Sequence, residues 1–516
     1  MGAVSSSIGV SLHIAVMAPE DVVVVPRQEW DALCAENARL GAEIEQLRAL
    51  IEALRARGGK HSGNSSIPPS KDSIAAKAQQ RAGRRKSQRV RSQDRKPGGQ
   101  VGHPGSGLEP TADPNRTERV EPPMECSGCG GSLAGATNLD DGWAQVWDIP
   151  PIELERVHYL LARLQCADCG KTTTAAPPFG PAWCVSYGPN VNAAAILLGN
   201  EGNVPMERTA TLMESLLAAP VSTAFVALAQ KRFGDGLQSG GLDEAMGSAL
   251  RAEAVLCGDE TPVNLLDDSL DENGAATTGA AHVVTLRTPD ERLVWLRPTP
   301  ARSSVALKNL GILDGWQGVL VRDDYAGWYQ FDESLAGVQQ CVAHLIRHLQ
   351  GVYDIDAQAQ GWARNVQQVL RDANAAVVAA VAGGERQLDT ELLASLQDRY
   401  DSNVAEGITI NRNQPWPKGH HPGYNLAKRL RDKADQVWLF TTRFDVPWTN
   451  NASERALKGP KRHQAVSGYW HTHATLARYC RVHTYLVTTR NHGIGAISAI
   501  HAALMGRPWL PTPITT

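Results

Sequence analysis

The sequence predicts a multidomain α/β protein, and three observations carry that expectation. At 516 residues the chain exceeds what one ordinary hydrophobic core supports. Between 250 and 340, apolar β-branched runs alternate with a short helical pattern, and helical periodicity dominates on both sides. Upstream, a heptad repeat, a basic tract and two Cys-x-x-Cys pairs each mark a small unit. Hydrophobic residues make up 42% and charged residues 20%, which suits folded domains and excludes a chain disordered throughout. No apolar run approaches the roughly 20 residues that cross a bilayer, so no membrane role is expected.

Residues 1–27 read as a tail. Its mildly apolar stretch 8–17 is not preceded by the Lys or Arg of a signal peptide. Residues 28–58 read as a leucine-zipper coiled coil: Trp30, Asn37, Ile44 and Ile51 fall at a, and Leu33, Leu40, Leu47 and Leu54 at d. Ile at a with Leu at d favours a parallel dimer, and an Asn at a fixes register, so a homodimer or higher oligomer is expected. Residues 59–119 form a Pro/Gly-rich linker. Within it, residues 71–99 hold ten Lys/Arg, including Arg84, Arg85 and Lys86, against Asp72 and Asp94, a local balance of +8. A tract of this kind suits the phosphate backbone of nucleic acid better than the net charge of −3 suggests.

Residues 120–176 hold Cys126-x-x-Cys129 and Cys166-x-x-Cys169, each followed by Gly. Two thiolates on such a turn can reach one tetrahedral zinc, so a zinc-ribbon-like domain with a structural Zn²⁺ is expected. The remaining Cys184, Cys257, Cys341 and Cys480 are expected as buried small apolar residues. Residues 185–245 read as helical, resembling a helix-turn-helix around Pro220. From 252 the pattern is strand (AEAVLCGD), hairpin around Pro289-Asp290, short helix (SVALKNLGIL), then strand (GVLVRD). That βββαβ order is the one found in ribonuclease-H-like domains, with a mixed sheet. Residues 341–445 read as a helical insertion, 446–500 as helices that complete the domain, and 501–516 as a tail.

Acidic residues stand out in this frame. Asp259 and Asp323 fall where apolar strands end, and Glu454 falls on a helix opened by Asn450 and Asn451. Three carboxylates of this kind suit two hard divalent cations, which take oxygen ligands and leave positions for phosphate and water. Taken singly each acid has a plainer reading: Asp324 adjoins Asp323, Glu260 adjoins Asp259, and Glu454 has the spacing of a helix ion pair with Lys458. Arg455, Lys458, Lys461, Arg462 and His463 form a basic cluster that would suit DNA phosphates.

In these motifs the chain resembles transposases of the IS66 family. The resemblance rests on the zipper; on Asn64-Ser65-Ser66 with Pro68-Pro69-Ser70 and Asp72; and on Gly98-Gly99-Gln100 with Gly102-His103 and Gly105. It continues through the two Cys pairs to DETPV at 259–263, D-x-YAG at 323–327 and NNxxER at 450–455. The resemblance implies a DDE catalytic triad of Asp259, Asp323 and Glu454 with Mg²⁺ or Mn²⁺, and an accessory His344 in Cys341-x-x-His344. In the family a Gly usually follows the second Asp, where this chain has Asp324. It implies cleavage and strand transfer of DNA at terminal inverted repeats, into target DNA, in a bacterial cytoplasm in association with the nucleoid. Small accessory proteins of the same element are implied partners. A second reading is a zinc-ribbon DNA-binding protein with an inactive ribonuclease-H-like domain.

Overall fold

The computed structural model describes residues 26–58, 108–137, 139, 142–270 and 276–513. The basic tract with Arg84, Arg85 and Lys86, and the motifs between Asn64 and Gly105, lie outside the described residues. The chain divides into two compact units, Ser73–Gln339 with Asp445–Thr516, and Met1–Asp72 with Gln340–Phe444.

The first unit is mixed α/β. It opens with two short knuckles: a bridge from Glu125 to Ser132 around Cys126 and Cys129, and strands β1 (Arg163–Gln165) and β2 (Thr172–Thr174) around Cys166 and Cys169. Four helices follow, α2 (Pro189–Asn200), α3 (Met206–Leu217), α4 (Thr223–Ser239) and α5 (Leu242–Arg251), numbered after the N-terminal helix α1 (Arg27–Gly58). Ser222 caps α4 by accepting from the Phe225 N–H, which sets the turn after Pro220.

The sheet has five strands: β3 (Val255–Leu270), β4 (Ala276–Arg287), β5 (Val294–Thr299), β6 (Val319–Arg322) and β7 (Gly337–Gln340), in the order β5-β4-β3-β6-β7. β3, β4 and β5 pair antiparallel, whereas β6 returns parallel to β3 after the helix α6 (Ser304–Lys308). β3 runs well past the predicted end at Asp259, because DETPVNLL continues to pair with β4 up to a bulge beyond Leu266. Alternation along the strands divides two cores. Val284, Leu286, Trp295 and Leu320 pack with α2, α4 and α5, while Val283, Val294 and Leu296 pack on the other face. Helix α14 (His473–Asn491) closes the edge at β5. Its Thr484 hydroxyl accepts the Leu296 N–H at 2.9 Å, and its Thr488 hydroxyl donates to the Val294 carbonyl at 3.1 Å. Side chains thus satisfy a sheet edge that would otherwise be free to pair with another chain.

The second unit is helical: α7 (Val342–Tyr353), α8 (Gly361–Ala382), α9 (Thr390–Asn411), α10 (Pro422–Asp432) and α11 (Ala434–Thr442). Its core is built on Trp362, Val366, Leu370, Tyr400 and Leu430. Gly407 in mid-helix has a packing reason, since a Cβ there would stand 2.5 Å from the Trp362 ring. The heptad helix α1 belongs to the same unit and leaves Leu33, Leu40, Ile44 and Leu47 exposed. Among the described residues no helix is long and apolar enough to cross a membrane.

Candidate active site

Strand register brings the first two acids together. β3 and β6 pair as Val255↔Val319, Leu256↔Leu320 and Cys257↔Val321. Asp259 lies two residues beyond Cys257 and Asp323 two beyond Val321, and the charge of Asp323 acts on Asp259. Asp323 follows immediately after β6, but Asp259 lies inside the long β3 and not at its end. Gly258, just before Asp259, is closely packed: a Cβ there would come within 3.2 Å of both Leu286 and Trp328, which would have to shift slightly.

Glu454 arrives on α12 (Asn451–Ala456), a short helix held to the sheet by two buried polar contacts. Asn450, the N-cap residue, donates from Nδ2 to the Gly258 carbonyl at 2.6 Å. Ser453 Oγ accepts from Nε of Arg287 at 3.2 Å. Arg287 is buried at the end of β4, and its Nη1 donates to the Thr288 carbonyl at 2.8 Å. The helix therefore docks beside the residue that precedes Asp259.

Asp323 has its own support. Arg322 is fully buried; its Nη2 donates to both oxygens of Asp332 at 2.9 and 2.7 Å, and its Nη1 to the Asp323 carbonyl at 2.8 Å. Its guanidinium also lies over the Tyr329 ring. The two neighbouring aspartates separate clearly in role. Asp323 Oδ1 accepts the Tyr325 N–H at 3.0 Å, whereas Asp324 Oδ1 accepts the Tyr329 hydroxyl at 2.5 Å. It is Asp323 whose charge acts on Asp259 and Glu260.

Electrostatics reflect the crowding. Burial, then the charges of Glu260, Asp323 and Glu454, hold the Asp259 carboxyl well above the usual carboxylate range. Burial and Asp323 push Glu260 up to about 7, even though Arg302 and Trp328 pull the other way. Asp323 is raised by burial and lowered in part by the Tyr325 N–H and Arg302. These acids are the type of donor set that a hard cation would relieve. Among the described residues, however, no three His, Cys, Asp or Glu side chains converge on one point suited to a metal ion.

The thiols shift in the opposite direction. Within each pair the first cysteine is lowered, Cys126 chiefly by the backbone N–H of Cys129 and Cys166 by that of Cys169. All four are accessible and in the reduced form, and each knuckle offers two ligands. Cys184 is exposed, contrary to expectation, because it sits in an irregular segment before α2; Cys257, Cys341 and Cys480 are buried.

The predicted basic residues Arg455, Lys458, Lys461 and Arg462 are exposed around α12 and α13 (Lys458–Ser467). Arg455 pairs with Glu291 at 2.6 Å. His463 is withdrawn from that face: it stacks on Trp470 at 3.9 Å, and burial lowers it to about 4. His344 lies in the first turn of α7 in the helical unit, lowered by burial and then Arg347 to about 3. A cavity of ≈ 510 Å³ lined by Phe179, Tyr187, Phe225, Arg232 and Phe233 contains none of these acids. Arg287, Arg302 and Arg322 went unnoticed in the sequence; two of them, Arg287 and Arg322, are charges that close buried strands, which is a readable signal.

Comparison with known proteins gives a family. A family model described as "Transposase IS66 family" matches residues 185–477. A family of unknown function (DUF6444) matches residues 19–109. No curated protein matches. Among solved structures, the Drosophila P element transposase in a strand transfer complex is 12% identical, covering 58% of this chain and 91% of that one, with a TM-score of 0.30.

Proposed function

The chain belongs to the IS66 family of transposases, and on that premise we propose that its acid site carries out metal-dependent DNA strand cleavage and strand transfer on a ribonuclease-H-like fold. The observation that carries the reading is the convergence of charge: carboxylates from β3, from the end of β6 and from α12 all bear on Asp259. The order β5-β4-β3-β6-β7, with β6 returning parallel after a short helix, supports the fold.

Asp259, Asp323 and Glu454 would hold Mg²⁺ or Mn²⁺, and the donor set fits because it is all-oxygen and short of counter-charge. Bound there, such ions supply Lewis-acid stabilisation of the phosphoryl group and a lowered pKa for the attacking oxygen. The chain's own task is positioning. Arg322 and the Tyr325 N–H hold Asp323, while Asn450 and Arg287 hold the helix of Glu454. No protein nucleophile is needed, because water gives cleavage and a DNA 3′-hydroxyl gives strand transfer.

The finer assignments belong to the same proposal. Cys126, Cys129, Cys166 and Cys169 would share one structural Zn²⁺. Arg84, Arg85, Lys86, Arg455, Lys458, Lys461 and Arg462 would meet the backbone of terminal inverted repeats or target DNA. His344 would assist, the zipper would make a homodimer, and small accessory proteins would complete the assembly in a bacterial cytoplasm, near the nucleoid. The test is cleavage of labelled duplex bearing the element's ends with Mg²⁺, for the native chain, Asp323→Asn and Glu454→Gln. Cleavage lost in both variants supports the site; equal cleavage by all three removes these acids from the chemistry. One rival reading is a zinc-ribbon DNA-binding protein whose ribonuclease-H-like domain is inactive. That rival predicts binding without cleavage by any of the three.

A further inference from the structure

The acid site contains a fourth carboxylate and an arginine that the triad leaves unexplained. The Glu260 side chain is only 2% exposed. Its Oε2 accepts the Trp328 indole N–H at 3.0 Å, and its Oε1 accepts Nε of Arg302 at 2.7 Å, with Nη2 of the same guanidinium also in contact. Arg302 lies in the loop between β5 and α6 and is 43% exposed. Its guanidinium sits over the Tyr325 ring, 3.6 Å from the centroid, and the Tyr325 hydroxyl donates to the Arg302 carbonyl at 2.6 Å. Both the head and the backbone of this residue are thus fixed.

The other nearby arginines are already occupied. Arg322 is committed to Asp332 and the Asp323 carbonyl, Arg287 to Ser453 and backbone carbonyls, and Arg455 to Glu291. Arg302 uses Nε and Nη2 on Glu260, and its Nη1 has no protein partner among the described residues. Its charge reaches Asp323 and His282, so it borders the acids directly. A guanidinium held over an aromatic ring, with one edge anchored on a carboxylate and the side chain 43% exposed, suits a phosphate oxygen better than a mobile lysine does.

Resting on the function proposed above, we propose that Arg302 is a DNA-binding residue of the acid site, donating to a non-bridging oxygen of a backbone phosphodiester. Glu260 and Tyr325 are positioning residues that hold it there, and Glu260 is not a metal ligand. The phosphate belongs either to the element's end or to the target duplex, and the test separates the two.

The experiment uses the full chain and neutral methylphosphonate linkages, placed one at a time around the cleavage site of the element's end or around the joint in the target. The native chain is expected to lose roughly 10- to 100-fold in rate at one linkage, the size of a charge-assisted hydrogen bond. Arg302→Ala should show that loss on unmodified DNA and no further loss at the same linkage, and binding in EDTA should weaken by no more than the same factor. Arg302→Lys should recover part of the rate and part of the sensitivity, which a merely structural role would not produce; this variant also serves if Arg302→Ala does not fold. Loss at an end linkage assigns the element's end, and loss at a joint linkage assigns the target. Cleavage by Arg302→Ala within about twofold of native, or full methylphosphonate sensitivity at every linkage in both Arg302 variants, overturns the proposal alone, provided Asp323→Asn is inactive. Cleavage by Asp323→Asn equal to native overturns the acid-site reading and this proposal with it.

Discussion

The buried pair of Arg322 and Asp332 allows stability and positioning to be separated. Asp332→Ala leaves a guanidinium that is 0% exposed without its two carboxylate bonds of 2.9 and 2.7 Å. Removing one partner of a buried pair costs about 3–5 kcal/mol, and the 21% exposure of Asp332 places the expectation at the lower end, about 3 kcal/mol. Replacing both partners by apolar residues, Arg322→Met with Asp332→Leu, is often close to neutral, because neither charge then has to be desolvated. Stability should therefore return in the double variant. Cleavage should not, because Nη1 of Arg322 also donates to the Asp323 carbonyl at 2.8 Å and that donor is gone. Urea unfolding reads the first quantity, and single-turnover cleavage of element-end DNA reads the second. A double variant that is both stable and as active as the native chain would show that the pair only holds the fold together. Failure of the double variant to recover stability would mean that the contact with Tyr329 or the packing around β6 matters more than charge.

The remaining expectations concern protons, the helix staple and zinc. Because burial raises the proposed ligands Asp259 and Asp323, protons compete with cations for the folded site. The Mg²⁺ concentration for half-maximal cleavage should rise as pH falls below neutral; a constant value would contradict the raised acids. Asn450→Ala should destabilise by about 1–3 kcal/mol, the cost of stranding the buried Gly258 carbonyl, and should lower the cleavage rate more than DNA binding. His483 is buried, stacked on Tyr479, and lowered to about 4 by burial and then by Arg462. Its folded pKa lies below the ordinary 6.5, so its contribution is present at neutral pH and is lost as pH falls through that window. His483→Phe should reduce the acid loss near pH 4.5 by about 2–3 kcal/mol in unfolding experiments, and an unchanged pH profile would refute the assignment. Cys126→Ser and Cys166→Ser should each abolish the same single zinc in metal analysis; loss of zinc from only one of them would separate the pairs.

What the sequence revealed depended on how local the signal was. The mixed α/β character, β6 and the hairpin around Pro289-Asp290 were legible because apolar alternation and turn residues act within a few positions. The extension of β3 was not, since DETPVNLL holds polar residues and Pro262 where the apolar run stops, and its pairing with β4 is what continues the strand. The meeting of Asp259 and Asp323 depends on a parallel register set 64 positions apart in the chain, which no local pattern encodes. The motif alone selects Asp323 over Asp324, and the hydrogen bond from Tyr329 to Asp324 is a tertiary contact that the sequence does not show.

The residues that went unnoticed share a physical logic. Arg287 and Arg322 each stand at the end of a strand that finishes in a buried run, and both are essentially excluded from water. A buried guanidinium is costly unless its donors find acceptors; Nη1 of Arg322 finds the Asp323 carbonyl, Nη2 finds Asp332, and Nε of Arg287 finds Ser453 on the helix of Glu454, while Nε of Arg322 is left without a partner among the described residues. The cost of burying them is thus tied to the elements that carry the acids. Replacement by an apolar side chain of similar size would be expected to keep the strand and lose the docking of α12. A lone arginine within a buried strand, directly preceding or facing a candidate acid, is therefore evidence about how that acid is held.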